Sequence, residues 1–465
     1  MTIMMMTREQ MLNRFYANDA GYDGQFITGV LSTGIYCLPS CKARAPKANN
    51  VQFFERPEQA EEAGLRPCMR CRPDDFYAGR DLDGEVVEQL VGEIYADPSA
   101  FDDVPGIVAR GGMGATKTNQ MFLAHFGNTP GQILQRSRLD RFAELLSASS
   151  GDVAQCAFDS GFQSLSTAYD HFGRRFGLSP AAFRDMEKRV LLRWPKPYTV
   201  QPVWTYLTRL DPEITVWETS ADTKHGEVPM HLEVTDQHLY LSFVGEPDRV
   251  ARHAACREVT RWFGFGQDGS ALTGDETIRR QVFQTPGLVV PQTRNLFEAL
   301  MWVVVGQQIN LSFAFRLMCR LREICNHRVG DVLLLPNANQ VAHLDAARLR
   351  ENQFSMRKAQ TLIDLAQWFD EHQPQLDQWQ CLSSKRLQRM LLDLKGLGPW
   401  SVGYLLLRGA GRLEMIPQGD AGLLAALRRA YGDFEKGFPE QHMSQFFPLG
   451  GLATMVYWQS LKETI

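Results

Sequence analysis

Four closely spaced cysteines are the group of side chains in this sequence that most clearly could carry out chemistry. They form two pairs, Cys-x3-Cys and Cys-x2-Cys, which are separated by 26 residues. Two such pairs can complete the tetrahedral shell that Zn2+ prefers, since each turn supplies two ligands. The alternative is four unrelated thiols in a reducing compartment. The spacing predicts one zinc site, whose ligands are Cys37, Cys41, Cys68 and Cys71.

The sequence around these cysteines is basic. Residues 42–72 carry seven Lys and Arg against four Glu, in a chain whose overall net charge is −4. A local excess of positive charge suits a nucleic-acid backbone, and Lys42 and Arg44 are the candidate contacts nearest to Cys41. A thiolate bound to zinc is deprotonated and can attack an alkyl group. The stretch therefore predicts a thiolate nucleophile beside a phosphate-binding surface.

Two runs in this stretch, Thr33–Arg44 and Gly64–Pro73, closely resemble the amino-terminal domain of the Ada methylation-response proteins, over about residues 20–76. The resemblance implies that the four thiolates hold zinc and that Cys37 irreversibly accepts a methyl group from a methylphosphotriester in DNA. Zn2+ with four thiolates has a formal charge of −2. Methylation of one thiolate removes one negative charge, so we expect affinity for DNA to rise.

Residues 104–126 and 152–176 each indicate a helix, a tight turn and a second helix. Asp152 is a candidate N-cap, and Ser164–Phe172 is the expected recognition helix. By the helical hairpins alone, a helical bundle linker would be the preferred interpretation. The run Phe172–Arg184 resembles the AraC-type paired helix-turn-helix, over about residues 85–185. The first pair departs from that pattern, because its turn is rich in glycine, which lowers helix stability.

A second candidate for chemistry lies near the carboxy terminus. Lys395, Gly396 and Gly398 stand in a turn between two predicted helices, where glycines let backbone N–H groups approach a DNA phosphate. Asp420 follows 22 residues after Gly398. A Gly-x-Gly turn by itself is common in helical hairpins, and Asp420 could be only a helix cap.

Together these residues resemble the helix-hairpin-helix glycosylase superfamily, most closely the AlkA type of 3-methyladenine-DNA glycosylase, over about residues 190–460. The resemblance implies that Asp420 stabilises the sugar cation or orients water, and that residues 195–285 form the family's amino-terminal α/β, TBP-like subdomain. It also implies base-stacking and duplex-inserting side chains; these are Trp400, Tyr404, Trp458, Gln307 and Gln308. For the three aromatic residues, core packing is the alternative.

Other repair chemistries are disfavoured by the sequence. No cysteine cluster near the carboxy terminus could hold an iron–sulfur centre, and no lysine stands where a Schiff-base nucleophile is expected. Lys395 lies inside the turn, where phosphate contact is the expected role. The Pro-Cys-His-Arg motif of an O6-methylguanine transferase does not occur. The sequence therefore predicts a glycosylase that is monofunctional.

The amino-acid composition limits the classes of protein to which this chain can belong. The 465 residues are 44% hydrophobic and 22% charged, which suits several folded cores. Nine cysteines without an export signal argue against a disulfide framework, and no apolar run reaches the length of a membrane-spanning helix. We therefore expect a soluble, cytoplasmic protein.

The chain predicts a multidomain, mostly α fold with α+β parts. The expected domains are a small zinc domain, 1–80; an AraC-like helix-turn-helix pair, 81–188; an α/β TBP-like subdomain, 189–286; and an all-α helix-hairpin-helix glycosylase domain, 287–465.

The predicted function is the response to DNA alkylation, by methyl transfer to Cys37 and excision of alkylated bases such as 3-methyladenine. The expected cofactor is one zinc ion, with no organic cofactor. The expected partners are double-stranded alkylated DNA, promoter DNA and RNA polymerase, with a monomeric protein and no membrane. Two alternatives stay open: a transcriptional regulator whose glycosylase half is weak or inactive, and a structural zinc protein with a helical adaptor.

Overall fold

The structure is a computed structural model, and it describes residues 6–79, 81–148, 151–211, 213–274, 276–373, 378–435 and 437–461. The chain divides into two compact units, Met1–Val86 and Val87–Ile465. None of the described helices is long and apolar enough to cross a membrane.

The first unit is built on a four-stranded sheet in the order β3-β1-β2-β4. In this sheet β1 pairs antiparallel with both β2 and β3. The strands β2 and β4 pair in parallel, with Ile35 opposite Arg66 and Tyr36 opposite Pro67. Because the carboxyl ends of parallel strands meet at one edge, the next residues, Cys37 and Cys68, lie side by side. The elements are α1 (Arg8–Tyr16), β1 (Ile27–Val30), β2 (Ile35–Cys37), β3 (Val51–Phe54), α2 (Pro57–Glu62), β4 (Arg66–Pro67) and α3 (Pro73–Tyr77).

The hydrophobic core of this unit is small. Five buried residues form it, and the cysteines form a separate cluster beside them. A core of this size does not stabilise a domain without additional cross-links. A bound metal ion would therefore supply part of the folding free energy of the unit.

The second unit begins with seven helices. They are α4 (Leu82–Ala96, which starts in the first unit), α5 (Val104–Gly111), α6 (Ala115–Phe126), α7 (Pro130–Ala148), α8 (Val153–Asp159), α9 (Leu165–Phe176) and α10 (Pro180–Arg184). The predicted cap is confirmed, because the Asp152 side chain accepts a hydrogen bond from Ala154 N. The predicted recognition helix is confirmed but extends to Phe176, with Ser164 as its cap.

The glycines of the first pair lie where one helix ends and the next begins. Gly112 adopts φ 64° and ends α5, and Gly114 caps α6. A left-handed residue after a helix favours glycine, so these residues form the tight turn itself.

An antiparallel sheet follows, in the order β5-β8-β7-β6, with two helices packed on it. Buried and partly exposed residues alternate along β7 and β8, as is typical of strands with one face in a core. The elements are β5 (Arg189–Arg193), α11 (Val200–Leu207), β6 (Val216–Thr223), β7 (Gly226–Val234), β8 (His238–Phe243) and α12 (Arg249–Trp262).

A single hydrophobic core extends across the expected boundary at residue 188. Its buried members run from Leu139 in α7 to Val289 after the sheet. The Phe183 ring lies 4.6 Å from the His253 ring, and Arg193 N donates to Gly177 O over 2.8 Å. The second helix-turn-helix is therefore built into the α/β layer.

The last part of the chain is helical around a large separate core. Its helices are α13 (Glu276–Gln284), α14 (Leu296–Gly306), α15 (Leu311–Cys325), α16 (Ala338–Ala342), α17 (Ala346–Glu351), α18 (Met356–Glu371), α19 (Ser384–Leu392), α20 (Pro399–Arg408), α21 (Ala421–Tyr431), α22 (Phe438–Ser444) and α23 (Gly450–Ser460), with a two-stranded ribbon of β9 (Arg328–Val329) and β10 (Val332–Leu333). The predicted hairpin joins α19 to α20.

The shared core predicts that a fragment of residues 189–465 is much less stable than one of residues 87–465. The shorter fragment loses Phe172, Phe176 and Phe183, which are at most 1% exposed. Burial of each contributes about 1.5–3 kcal/mol, so the loss is comparable with the whole stability of about 5–15 kcal/mol. Thermal unfolding followed by circular dichroism measures the difference in stability between the two fragments. Equal melting temperatures would contradict the shared core.

Candidate functional site

The four predicted cysteine ligands lie together in the first unit. Their sulfur atoms are all within 4.8 Å of one another, and the sulfurs of Cys41 and Cys68 are 4.0 Å apart. Zinc–sulfur bonds of about 2.3 Å in a tetrahedron place the sulfurs roughly 3.8 Å apart, so the cluster fits zinc with little adjustment. Cys37 ends β2 and Cys68 follows β4, while Cys41 and Cys71 lie in the turns that follow each of them.

Local hydrogen bonds hold the loop of Cys41 in place. Asn18 Nδ2 donates to Cys41 O over 2.6 Å, and Asp23 accepts from the backbone and the hydroxyl of Ser40. Within the thiol cluster, a hydrogen bond from Cys37 lowers the pKa of Cys41 to about 2, while the same bond raises the pKa of Cys37. One sulfur is thus already favoured as a thiolate by its neighbours.

The accessible surface beside the cluster is basic. Lys42, Arg44 and Arg70 are exposed, and Arg70 Nη1 donates to Lys42 O over 2.8 Å. Met69 is 84% exposed between two of the ligands. Cys37 itself is buried, and Cys71 is the more exposed thiol.

In the second unit, the carboxylate of Asp420 is the centre of a separate site. Asp420 is 9% exposed and caps α21, accepting a hydrogen bond from Leu423 N over 2.7 Å. The same oxygen, Oδ1, accepts from Trp458 Nε1 over 2.8 Å, and Oδ2 accepts from Trp400 Nε1 over 2.9 Å. Three N–H donors therefore fix a buried negative charge, which would be costly without them.

Two glycines allow the indoles to reach the carboxylate. A Cβ on Gly422 would lie 3.1 Å from Trp458 Nε1 and 3.2 Å from Asp420 Oδ1. A Cβ on Gly403, in α20, would lie 2.7 Å from Ile416 O. Their small size lets α20 and α23 pack closely around the turn that carries Asp420.

The predicted aromatic side chains lie together, and a fourth joins them. The rings of Trp400 and Tyr404 are stacked, with centroids 5.7 Å apart at 29°. The hydroxyl of Tyr404 lies 3.4 Å from that of Tyr206, which comes from α11 in the α/β layer. Burial raises the pKa of Tyr206, so its hydroxyl is neutral. Sequence reasoning missed Tyr206, because nothing local marks an aromatic residue that meets a partner 198 positions away.

The hairpin turn is open on one side. Lys395 and Gly396 are exposed, Gly396 adopts φ 100°, and a Cβ on Gly398 would meet no atom within 4 Å. The turn is tied to the loop after α14, because Gln307 Nε2 donates to Gly396 O over 2.9 Å. Gln308 is exposed with φ 58°, and Leu311 beyond it is 66% exposed.

Lys358 fastens this loop from the other side. Its ammonium donates to Val305 O over 2.6 Å and to Gln307 O over 3.1 Å, and burial lowers its pKa. These carbonyls lie at the end of α14, where helical partners are lacking. Lys358 therefore positions the loop that carries Gln307 and Gln308.

Three families match successive parts of the chain. The family described as the metal binding domain of Ada matches residues 10–74, a helix-turn-helix domain matches residues 107–186, and the HhH-GPD superfamily of base excision DNA repair proteins matches residues 301–446.

Individual relatives match either the whole chain or a part of it. A probable bifunctional transcriptional activator/DNA repair enzyme AlkA of Mycobacterium tuberculosis is 25% identical over 98% of this chain and 97% of its own length. The bifunctional transcriptional activator/DNA repair enzyme AdaA of Bacillus subtilis is 30% identical over 37% of this chain and 80% of its own length. The solved 3-methyladenine DNA-glycosylase of Archaeoglobus fulgidus shares the fold, with 17% identity and a TM-score of 0.50 over 59% of this chain and 98% of that structure.

Replacement of Lys358 by Met should weaken DNA binding about 10-fold or more, because two carbonyls lose their donor and the loop after α14 loses its position. The global stability should fall by only about 1–3 kcal/mol. Fluorescence anisotropy with a duplex measures the affinity. Arg357→Met is the matched control, since it removes an exposed positive charge from the same helical turn. Equal affinities for the two variants would show that Lys358 acts only as a surface charge.

Proposed function

The chain belongs to the Ada family of bifunctional transcriptional activators and DNA repair enzymes, and from this premise we propose that it accepts methyl groups from DNA phosphates and excises alkylated bases. One observation carries the proposal. A single chain holds both a cluster of four thiols beside exposed basic side chains and a buried carboxylate surrounded by aromatic rings.

In the methyl-transfer step, the sulfur of Cys37 attacks the methyl carbon of a methylphosphotriester. A sulfur–carbon bond forms, the carbon–oxygen bond breaks, and its electron pair stays on the phosphate, which leaves as a diester. Zinc, when bound, keeps the thiols ionised at neutral pH. Lys42 and Arg44 would hold the flanking phosphates, because both are exposed beside the thiol cluster.

The same step changes the charge of the cluster. A methylated thiolate is a neutral thioether, so the formal charge of the cluster with zinc becomes less negative by one. Repulsion between this surface and the DNA backbone falls, and affinity for DNA rises. The protein would then act as a sensor whose methylated form binds promoter DNA.

The helix-turn-helix pair supplies the promoter contact. On α6, Lys117, Asn119 and Gln120 are exposed, and on α9 Thr167 and Tyr169 are exposed. These faces present hydrogen-bonding side chains of the kind that read base edges in a major groove. Recruitment of RNA polymerase by a monomer bound to the promoter in the cytoplasm belongs to the same proposal.

In base excision, the target nucleotide is flipped out and its base is held against aromatic faces. The bond from the base to C1′ breaks with its electron pair on the base, and water adds to C1′. Asp420 stabilises the positive charge on the sugar, since its own charge is fixed by three donors. The backbone around Gly396 and Gly398 contacts the phosphates, and Gln308 enters the space that the flipped nucleotide leaves.

Replacement of Asp420 by Asn should lower base release about 10²-fold or more. Asn keeps an oxygen for the cap but turns an NH2 group toward one indole N–H, so the carboxylate charge and one hydrogen bond are lost. Release of 3-methyladenine from methylated DNA measures the rate, and duplex binding should stay nearly unchanged. Asp345→Asn, at the exposed cap of α17, is the matched control and should leave release as it is. Wild-type rates for Asp420→Asn would reduce Asp420 to a helix cap.

Exposure to DNA that carries methylphosphotriesters should add one methyl group per chain, on Cys37, and raise DNA affinity. Peptide mass spectrometry locates the methyl, and anisotropy before and after the reaction measures the affinity. Cys37→Ser should accept none, whereas Cys319→Ser, which lies outside the cluster, should react as the wild type does. A methyl on another cysteine would refute the acceptor assignment, and unchanged affinity would refute the charge argument.

A further inference from the structure

Asp420 and five other side chains form a closed circle of contacts, which we call the aromatic ring cluster. Each touches the next, by hydrogen bond, stacking or cation–π contact. In order, they are Asp420, Trp400, Tyr404, Tyr206, Arg408 and Trp458. Five of these members are the carboxylate and the aromatic residues already described. Arg408 is the sixth, and the excision mechanism does not use it.

Arg408 is a buried cation that touches two of these rings. It is 4% exposed, and its guanidinium carbon lies 4.2 Å from the centre of the Tyr206 ring and 5.3 Å from that of Trp458. Its Nη1 donates to Pro291 O over 3.0 Å, and its Nη2 lies 2.9 Å from Met455 Sδ. Its Nε has no hydrogen-bond partner among the residues that the structure describes.

Within the described part of the chain, no carboxylate forms an ion pair with Arg408. A second arginine that contacts the Tyr206 side chain does form an ion pair. Arg209 lies 4.0 Å from the centre of the Tyr206 ring, but it also pairs with Glu298 at 3.3 Å. The two guanidinium groups thus share an aromatic partner, and Arg408 contributes a charge that no such pair offsets.

Arg408 lies over the Tyr206 and Trp458 rings, so it would oppose a cationic base that stacks on the other faces of these rings. It draws π-electron density toward its own side, which weakens the attraction of the other face for positive charge. It also repels that charge directly: at roughly 8 Å and an effective dielectric constant near 20, two like charges lower binding by about 30-fold. A neutral base would feel neither effect.

We propose that Arg408 is a specificity-determining residue, which lowers the preference of the pocket for positively charged alkylated bases relative to neutral damaged bases. The proposal rests on the base-excision function proposed above. Asp420 attracts a cationic base, and Arg408, which contacts the same Trp458 indole that Asp420 holds, offsets that attraction. Arg408 acts through the rings and does not touch the base itself.

The test compares release of two bases from one mixed pool of DNA, 7-methylguanine as the cationic base and hypoxanthine as the neutral one. A ratio taken from one pool does not depend on how much of a preparation is folded. Arg408→Met should raise the ratio of cationic to neutral release about 10-fold, whereas Arg408→Lys, which keeps the charge, should leave it within about twofold. Arg209→Met should raise it less than Arg408→Met does.

A second pair of variants neutralises Arg408 without removing it. Met455→Glu places a carboxylate beside Nη2 and should raise the ratio as Arg408→Met does, while Met455→Gln should not. If Arg408→Met folds and its ratio stays at the wild-type value, the proposed role of Arg408 is wrong. If Arg408→Met does not fold, a wild-type ratio in Met455→Glu leads to the same conclusion. If the wild-type protein releases neither of these bases and no 3-methyladenine either, the proposed base excision itself is wrong.

Discussion

Base excision in this account depends on one arrangement, a buried carboxylate held by two indole N–H groups and a helix N-terminus. Asp420 is largely buried, and Leu423 N, Trp400 Nε1 and Trp458 Nε1 all donate to its carboxylate, so both of its oxygens have hydrogen-bond partners. The indoles are in turn fixed by their own neighbours, a stacked tyrosine on one side and a buried arginine on the other. A negative charge held in advance needs little rearrangement when positive charge develops on a sugar.

The thiol cluster also places negative charge in a buried position, and a metal cation rather than N–H donors would stabilise it. Four sulfur atoms lie together in a unit whose central apolar cluster has five buried members among the described residues. Parallel pairing of β2 with β4 sets Cys37 beside Cys68, and a cation is the natural partner for thiolates at this separation. Both sites therefore concentrate negative charge, and each defines how the elements around it must pack. The second helix-turn-helix precedes the α/β layer in sequence and shares a core with it.

Local patterns in the sequence predicted much of this. Cysteine spacing gave the four clustered ligands, and capping residues and periodicity gave the hairpin helices within a few residues. What could not be predicted depends on contacts between distant parts of the chain. Tyr206 and Arg408 meet across 202 positions, and β6 lacks a clear alternation, since its buried residues are three in a row. The motif suggested Trp400 and Trp458 as stacking rings, and nothing in the sequence indicated that their N–H groups are directed at Asp420.

The most direct test of the central claim is a double-mutant cycle between Trp458→Phe and Asp420→Asn, with the rate of 3-methyladenine release as the readout. Phe keeps an aromatic face but has no N–H. If the indole acts by fixing the carboxylate, Trp458→Phe should slow release about 10-fold or more in the wild-type background and have almost no effect when Asp420 is already Asn. Equal losses in the two backgrounds would contradict the account, because the indole would then act on the base independently of Asp420.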